Sequence, residues 1–232
     1  MKRKSLTGLR APWGLAVATL LLSGAPWLSG QSPGSTRVTS PTQHQRVGET
    51  GYPYRAKSDY VLKELDLHPG DVVLDLGAGD GWWSEKMASA VGTNGVIYAA
   101  EIEQKLVDQL KEKYARLPQI QPHLCQPDNV NLPTNSCDLA FVSQVYHHLP
   151  DTRVDYLKHL RSVIKPQGRL CIIEKYPFIA RGGGRGTALS QLAGEAEAAG
   201  WVLVRYELMT GTDHYLAILV QKDLFGVKPP KD

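Results

Sequence analysis

The stretch Val72-Val73-Leu74-Asp75-Leu76-Gly77-Ala78-Gly79-Asp80-Gly81-Trp82-Trp83 constrains this chain more than any other. Apolar residues flank one acid and run straight into three glycines at alternate positions, and a helical pattern follows at once. Such a run reads as a buried parallel strand, a tight turn and a helix N-terminus. Glycine lets the backbone turn sharply and lets a ligand approach with no Cβ in the way. The free N–H groups of the first helical turn then face that ligand.

A nucleotide-like cofactor suits this geometry, and details of spacing narrow it. A dinucleotide fingerprint places its glycines as G-x-G-x-x-G. Here the third glycine comes one residue early, and the bulky Trp82-Trp83 pair follows. Asp75 lies two residues before the first glycine, inside the strand. A carboxylate there would repel a pyrophosphate and suit a cationic amino group, which disfavours an NAD-dependent dehydrogenase. The pattern D-x-G-x-G-x-G resembles motif I of the class I S-adenosylmethionine-dependent methyltransferases.

Four further signals follow in the order that family would show. The apolar run from Gly95 to Ala100 ends in Glu101. Gln126-Pro127-Asp128-Asn129 is similar to the loop after a third strand. Cys137 to Ser143 followed by Gln144-Val145-Tyr146-His147-His148-Leu149 is similar to a fourth strand and its active-site end. Lys165-Pro166-Gln167-Gly168-Arg169-Leu170 is similar to the turn into a fifth. The resemblance covers roughly residues 54–221. It implies S-adenosylmethionine as cofactor. Asp75 would orient the amino group of its methionine moiety, and Gly77, Gly79 and Gly81 would line the loop around it. Glu101 would hold the ribose diol and Ile102 would pack on adenine. Asp128 and Asn129 would read the adenine edge, and Ser143, at the end of strand four, joins the cofactor-binding set.

The expected fold is α/β: a Rossmann-like three-layer sandwich around a mostly parallel seven-stranded sheet with a C-terminal antiparallel strand pair. Strands are expected near 72–76, 95–100, 120–125, 137–143 and 169–174, then at 201–208 and 214–221. Pro122 confines the third to an edge. The helix after the glycines should bury Trp83, Met87, Ala90 and Val91 and end at Gly92. The helix near 103–115 should bury Leu106, Leu110 and Tyr114. Asp151 should cap the helix that buries Val154, Leu157, Leu160 and Ile164. A helix is expected over 187–199. The methyltransferase-like domain spans 51–224, with a tail at 225–232.

The first 48 residues contain no acid and six of the 26 basic residues, so residues 49–232 carry 20 bases against 23 acids, a net −3. The basic excess belongs to the leader, and nothing argues for a nucleic-acid surface. Lys2-Arg3-Lys4 followed by the apolar run Leu15 to Leu22 reads as a signal peptide or membrane anchor over residues 1–30, with membrane association through 11–30. The domain would then be exported, as a periplasmic or secreted protein, or membrane-anchored; an organellar transit peptide is the alternative. Residues 31–50 read as a flexible linker. Cys125, Cys137 and Cys171 lack metal-ligand spacing and read as buried small hydrophobes. No metal is indicated, and the pattern leaves the oligomeric state open.

Ligands of open α/β sheets sit beyond the carboxyl ends of the strands. Tyr146, His147 and His148 follow strand four there and are the candidate catalytic residues, with a histidine near neutral pKa as base. Packing or capping of the next helix is the competing role. Glu174, Lys175 and Tyr176 share that rim. Tyr52, Tyr54 and Arg55 stand where the family places a lid, and Arg181 and Arg185 flank a glycine-rich loop. The reading is methyl transfer to a small-molecule acceptor, lipid and quinone-like acceptors included. A non-catalytic nucleoside-binding module of the same fold is the alternative.

Overall fold

The computed structural model describes residues 52–149, 151–177 and 186–226. The leader 1–30, the linker 31–50, Arg181 and Arg185, and all but the first two residues of the 225–232 tail lie outside the described residues.

A 3-10 turn, Pro53–Lys57, leads into helix α1 (Ser58–Leu65). The core elements follow as β1 (Val72–Leu76), α2 (Trp82–Val91), β2 (Val96–Glu101), α3 (Gln104–Lys113), β3 (Ile120–Leu124), β4 (Cys137–Ser143), α4 (Arg153–Val163), β5 (Ile164–Lys175), α5 (Leu189–Ala198), β6 (Trp201–Leu208) and β7 (His214–Gln221). The seven strands form one sheet in the order β3-β2-β1-β4-β5-β7-β6. β1 pairs in parallel with both β2 and β4, whereas β7 runs antiparallel to β5 and β6. The expected α/β architecture is the observed one, and β3 with Pro122 is an outer strand paired only to β2.

Successive strand residues point to opposite faces, so each central strand supplies both layers. Leu74, Ala140, Val142, Leu170 and Ile172 pack with α4 and α5 residues such as Leu157, Leu160 and Leu192. Val73, Ile97, Leu139, Phe141 and Ile173 pack on the other side with Val61, Met87 and Leu110 from α1, α2 and α3. The three cysteines are buried and unpaired, Cys125 and Cys137 in the first layer and Cys171 in the second.

Several local expectations change. α3 buries Val107 and Leu110 and leaves Leu106 half-buried, because the helix begins at Gln104 and its apolar face is turned by one position. Asp151 is exposed and does not cap α4: Thr152 is the N-cap residue, with no side-chain capping bond. Arg153 instead holds the start of that helix by bonding Glu195 of α5 at 3.0–3.1 Å. α4 buries Tyr156 and Val163 along with Leu157 and Leu160. Val154 is only half-buried, and Ile164 already opens β5. β5 is longer than expected because it starts at Ile164 opposite Cys137, before a register shift that brings Arg169 opposite Leu139. In α2, Ala90 is only half-buried, and Ala88 takes the buried place.

Trp201 is fully buried at the start of β6, and its indole N–H donates to Leu157 O of α4 at 2.9 Å. Trp201→Phe removes that donor, leaves Leu157 O with only its bond inside α4, and leaves space where the larger ring stood. We expect a loss of about 1–3 kcal/mol in stability, read from denaturant unfolding of the full chain. An unchanged midpoint would show that water or a shifted partner takes over the bond.

Candidate functional site

Beyond the carboxyl ends of β1, β2 and β4 lie two cavities. The first, of about 400 Å³, is walled by Leu76, Gly77, Glu101, Ile102, Gln126, Pro127, Val145 and His148 among others. The second, of about 300 Å³, is walled by the Tyr52–Arg55 segment, the 77–80 turn, Trp83 and the Ser143–Val145 end of β4. Gly77 and Val145 belong to both walls.

The three glycines do three different things. The N–H groups of Gly77 and Ala78 both donate to Ala100 O, at 2.9 and 3.1 Å, which bends the chain out of β1 across the tip of β2. Gly77 has φ +69, and a Cβ there would overlap the Val145 side chain at the junction of the two cavities. Gly79 donates its N–H to Glu101 Oε1 at 2.6 Å. Gly81, expected to line the ligand loop, lies on neither cavity wall. A Cβ on it would stand 2.5 Å from the Tyr114 ring, so it serves the close packing of α3, and Tyr114 Oη donates to its carbonyl at 2.9 Å.

Glu101 and Ile102 stand on the first wall, Glu101 nearly buried and Ile102 more than half exposed. An acid with a donor already placed on one oxygen, next to an exposed aliphatic surface, suits a sugar diol beside a flat base. Asp128 and Asn129 are exposed and line neither cavity. A tight turn pairs Gln126 with Asn129 and puts Gln126 and Pro127 on the wall instead.

Asp75 also departs from its expected place. It is 2 % exposed, lies on neither wall, and accepts a bond from Ser84 Oγ of α2 at 2.5 Å. Burial pushes its carboxyl up to about 7, with Ser84 opposing the shift and the Glu101 charge adding to it. Its carboxyl lies one layer beneath the turn and away from both cavities. It ties β1 to α2.

The Tyr146-His147-His148 group is split by a 3-10 turn over those residues. Tyr146 points away from the rim: it is fully buried, its hydroxyl donates to Glu195 at 2.6 Å, and burial pushes its pKa well above the ordinary phenol range. Its candidacy as a catalytic residue is thereby corrected. His147 is held from below. Its ring Nδ1 lies 2.9 Å from both oxygens of Glu174, and its backbone N–H donates to the same carboxylate at 3.1 Å. Glu174 is fully buried and takes Lys175 N–H as well, at 2.6 Å. Glu174 is thus an anchor that the sequence placed only loosely on the rim. His147 lies on neither cavity wall; His148 lies on the first, with its ring centroid 4.0 Å from that of His147. Lys175 pairs with Asp213 at 3.2 Å.

The second cavity is roofed from the N-terminal side. Tyr54 is buried against His214, ring centroids 4.5 Å apart, with its hydroxyl 3.5 Å from Ser143 Oγ. Arg55 reaches Asp80 with both terminal nitrogens, at 3.1 and 3.2 Å, while its guanidinium lies over the Tyr52 and Trp82 rings. Burial works against the Asp80 charge, but the bonds from Arg55 and Trp82 N–H outweigh it and hold the carboxyl below its ordinary range. The Tyr52–Arg55 segment is latched onto the glycine turn through the Arg55–Asp80 pair.

Residues 73–168 match the family model for a methyltransferase domain. A ubiquinone/menaquinone biosynthesis C-methyltransferase, UbiE, of Burkholderia multivorans is 27% identical over 125 residues, 52% of this chain and 50% of the relative. The chain spans a third to a half of the length of the curated relatives it matches. Among solved structures, a SAM-dependent methyltransferase from Aquifex aeolicus superposes with a TM-score of 0.66 at 24% identity, covering 73% of this chain and 94% of that one. The [4+2]-cyclase SpnF superposes with a TM-score of 0.59 at 20% identity, covering 69% and 63%. Residues 73–168 are thus similar to a methyltransferase domain and the fold is that of the solved methyltransferase, a likeness that implies S-adenosylmethionine as the cofactor. The residues fit that molecule: a near-buried acid and an apolar shelf on one wall, and two unpaired buried N–H donors, Gln144 Nε2 and Trp83 Nε1, on the other.

The raised pKa of Asp75 has a sign that can be measured. An unfolded aspartate titrates near 3.9. Below that pH the carboxyl is neutral in both states and costs nothing. As pH rises from about 4 to about 7 the folded state resists ionisation, so stability falls; above 7 the cost is constant. Asp75→Asn keeps an oxygen for Ser84 and removes the charge. Its melting temperature relative to wild type should climb between pH 4 and 7 and then level off. A difference independent of pH would show that Asp75 titrates normally.

Proposed function

We propose that this class I methyltransferase domain transfers a methyl group from S-adenosylmethionine to a small, flat, largely apolar acceptor of quinone-like type. The observation that carries the reading is the pair of cavities joined at Gly77 and Val145. The first suits an adenosine, and the second receives the reacting end together with the acceptor. Tyr52, Tyr54, Trp83 and Val145 give the second cavity aromatic and apolar surface, which favours a planar ring. The likeness to a quinone C-methyltransferase over about half the chain supports that class.

When bound, the cofactor supplies an electrophilic methyl group. What the chain supplies is placement. The bent turn at Gly77 and the shelf formed by Glu101 and Ile102 fix one partner. The lid residues Tyr52 and Tyr54 close over the other and exclude water. Holding two reactants in contact replaces most of the entropy cost of their encounter. Burial pushes the Tyr54 phenol up, so it keeps its proton at neutral pH and serves as a donor toward the acceptor. His148 lines the first cavity and bonds through its N–H to the carbonyl of Val145, which lines both, so it takes the role of proton acceptor for an acceptor that reaches this shared wall, and His147 that of an anchored support behind it.

Radiolabelled S-adenosylmethionine incubated with the full chain and a panel of phenols and reduced quinones tests the activity. Label should appear in at least one acceptor. The fold also carries chemistry other than methyl transfer, as the cyclase shows, and fold alone does not assign a reaction. Nucleoside binding without label transfer to any acceptor would favour a non-catalytic module.

With a working acceptor, His148→Ala should keep cofactor affinity and lower turnover by about 10²–10⁴-fold. His147→Ala should mainly lower the melting temperature, because it strips the Glu174 carboxylate of a buried partner. Glu101→Ala should weaken S-adenosylmethionine binding by about 1.5–3 kcal/mol, the scale of hydrogen bonds to a charged group. Equal losses of turnover in both histidine variants would end the distinction between them.

Export or membrane attachment through residues 1–30 is a separate proposal. It is supported by the Lys2-Arg3-Lys4 start, the Leu15–Leu22 run and the lack of acids before Glu49. Among the described residues no helix is long and apolar enough to cross a membrane. Fractionation of tagged full-length protein should place it outside the cytoplasm or in a membrane; wholly cytoplasmic protein with Met1 intact would refute this.

A further inference from the structure

Strand β6 is the last of the sheet, and among the described residues no strand pairs with its outer edge. An open edge can take up any strand that fits it. Met209 N–H donates to His214 O at 2.8 Å, which makes these two a hydrogen-bonded pair. Such pairs alternate along an antiparallel ladder, so Tyr206 and Leu208, opposite Ala217 and Tyr215, turn their N–H and C=O groups to the open edge. Ala217 and Tyr215 belong to the layer packed by α4 and α5, yet Tyr206 and Leu208 on that same face are more than half exposed. Arg205 and Glu207 take the opposite face, reach Glu64 and Tyr60 of α1, and keep about half of each side chain in solvent. A register shift between Leu203 and Arg205 leaves the regular edge to residues 205–208.

We propose that this edge pairs with the same edge of a second copy of the chain, antiparallel and centred on Tyr206, so that one sheet runs through both copies. The charges select that occupant. In this register Arg205 of each copy lies opposite Glu207 of the other, on both sides of the two-fold axis. Moving the axis to residue 207 would still match the outward backbone groups, but it would set Glu207 against its own counterpart, and like charges directly opposite destabilise a strand pair. The backbone agrees with the charges. The two Tyr206 residues exchange both hydrogen bonds, and each Arg205–Glu207 pair falls at a non-hydrogen-bonded position, where side chains approach most closely. On the other face the two Tyr206 rings meet, with a Leu208 beside each. Contacts with α1 already hold Arg205 and Glu207 in place, so pairing costs them little further freedom. A patch complementary to itself about an axis is what a two-fold dimer requires.

Sedimentation velocity of the full chain should show a monomer–dimer equilibrium that shifts with concentration. Arg205→Glu and Glu207→Arg each set like charges against one another on both sides of the axis, and each should weaken the dimer at least about tenfold. An equimolar mixture of these two variants regains opposite charges at both positions, and the double variant R205E/E207R does so within one chain. Both should return to within about threefold of the wild-type dissociation constant. Arg205→Glu also meets Glu64 within its own chain, so a variant on the other face keeps the answer independent of α1. Tyr206→Glu brings two carboxylates together at the axis and should weaken the dimer by at least as much. Thermal melts of each variant show that it is folded. A wild-type chain that stays monomeric at every concentration would overturn the proposal. So would a dimer that the single variants leave unchanged, or a mixture that stays as weak as its components.

Discussion

One carbonyl oxygen organises the upper half of this protein. Ala100 O accepts the N–H groups of both Gly77 and Ala78, and so forces the chain leaving β1 to fold over the tip of β2. That bend brings Gly79 onto Glu101, presents Asp80 to the lid and starts α2 on Trp82. It also creates the narrow place where Gly77 meets Val145, with one cavity on each side. A side chain larger than hydrogen at position 77 would clash with that wall and would also have to adopt a left-handed backbone. The site is therefore built chiefly from backbone geometry, and the side chains around it refine what enters.

The layers below explain why such a turn can be held rigid. β1 is central, paired on both edges, and its residues alternate between two cores packed by different helices. Interiors packed in this way resist small displacements. Asp75 adds a polar tie, and that tie has a cost, since its carboxylate is kept far from water. The same compromise recurs at Glu174, a fully buried acid that gathers two backbone N–H groups and the His147 ring.

Much of this was legible in the sequence because the signals are local. Four apolar-rich strands, the glycine turn, the edge position of Pro122 and the closing antiparallel pair all follow from periodicity and backbone chemistry. What was not legible depends on contacts between distant residues. Asp75 faces Ser84 rather than a ligand because α2 returns over the strand, and Tyr146 turns inward because Glu195, forty-nine residues later, accepts its hydroxyl. In the loop after β3, the Gln126–Asn129 bridge decides that Gln126 and Pro127, and not Asp128 and Asn129, line the first cavity. Gln144 carried no local signal at all. Its left-handed backbone and unpaired amide nitrogen appear only in the assembled fold.

The three cysteines carry a consequence for where such a domain can work. Cys125, Cys137 and Cys171 are each 4 % exposed or less, and none is paired. Burial pushes the thiols of Cys125 and Cys171 up to about 11 and about 12, and that of Cys137 in the same direction. The attacking species in disulfide exchange is the thiolate, which such values make scarce at neutral pH. The folded domain needs no cross-link to hold it and offers no ready thiol to form one. An oxidant arriving from solvent meets no exposed thiol at these three positions.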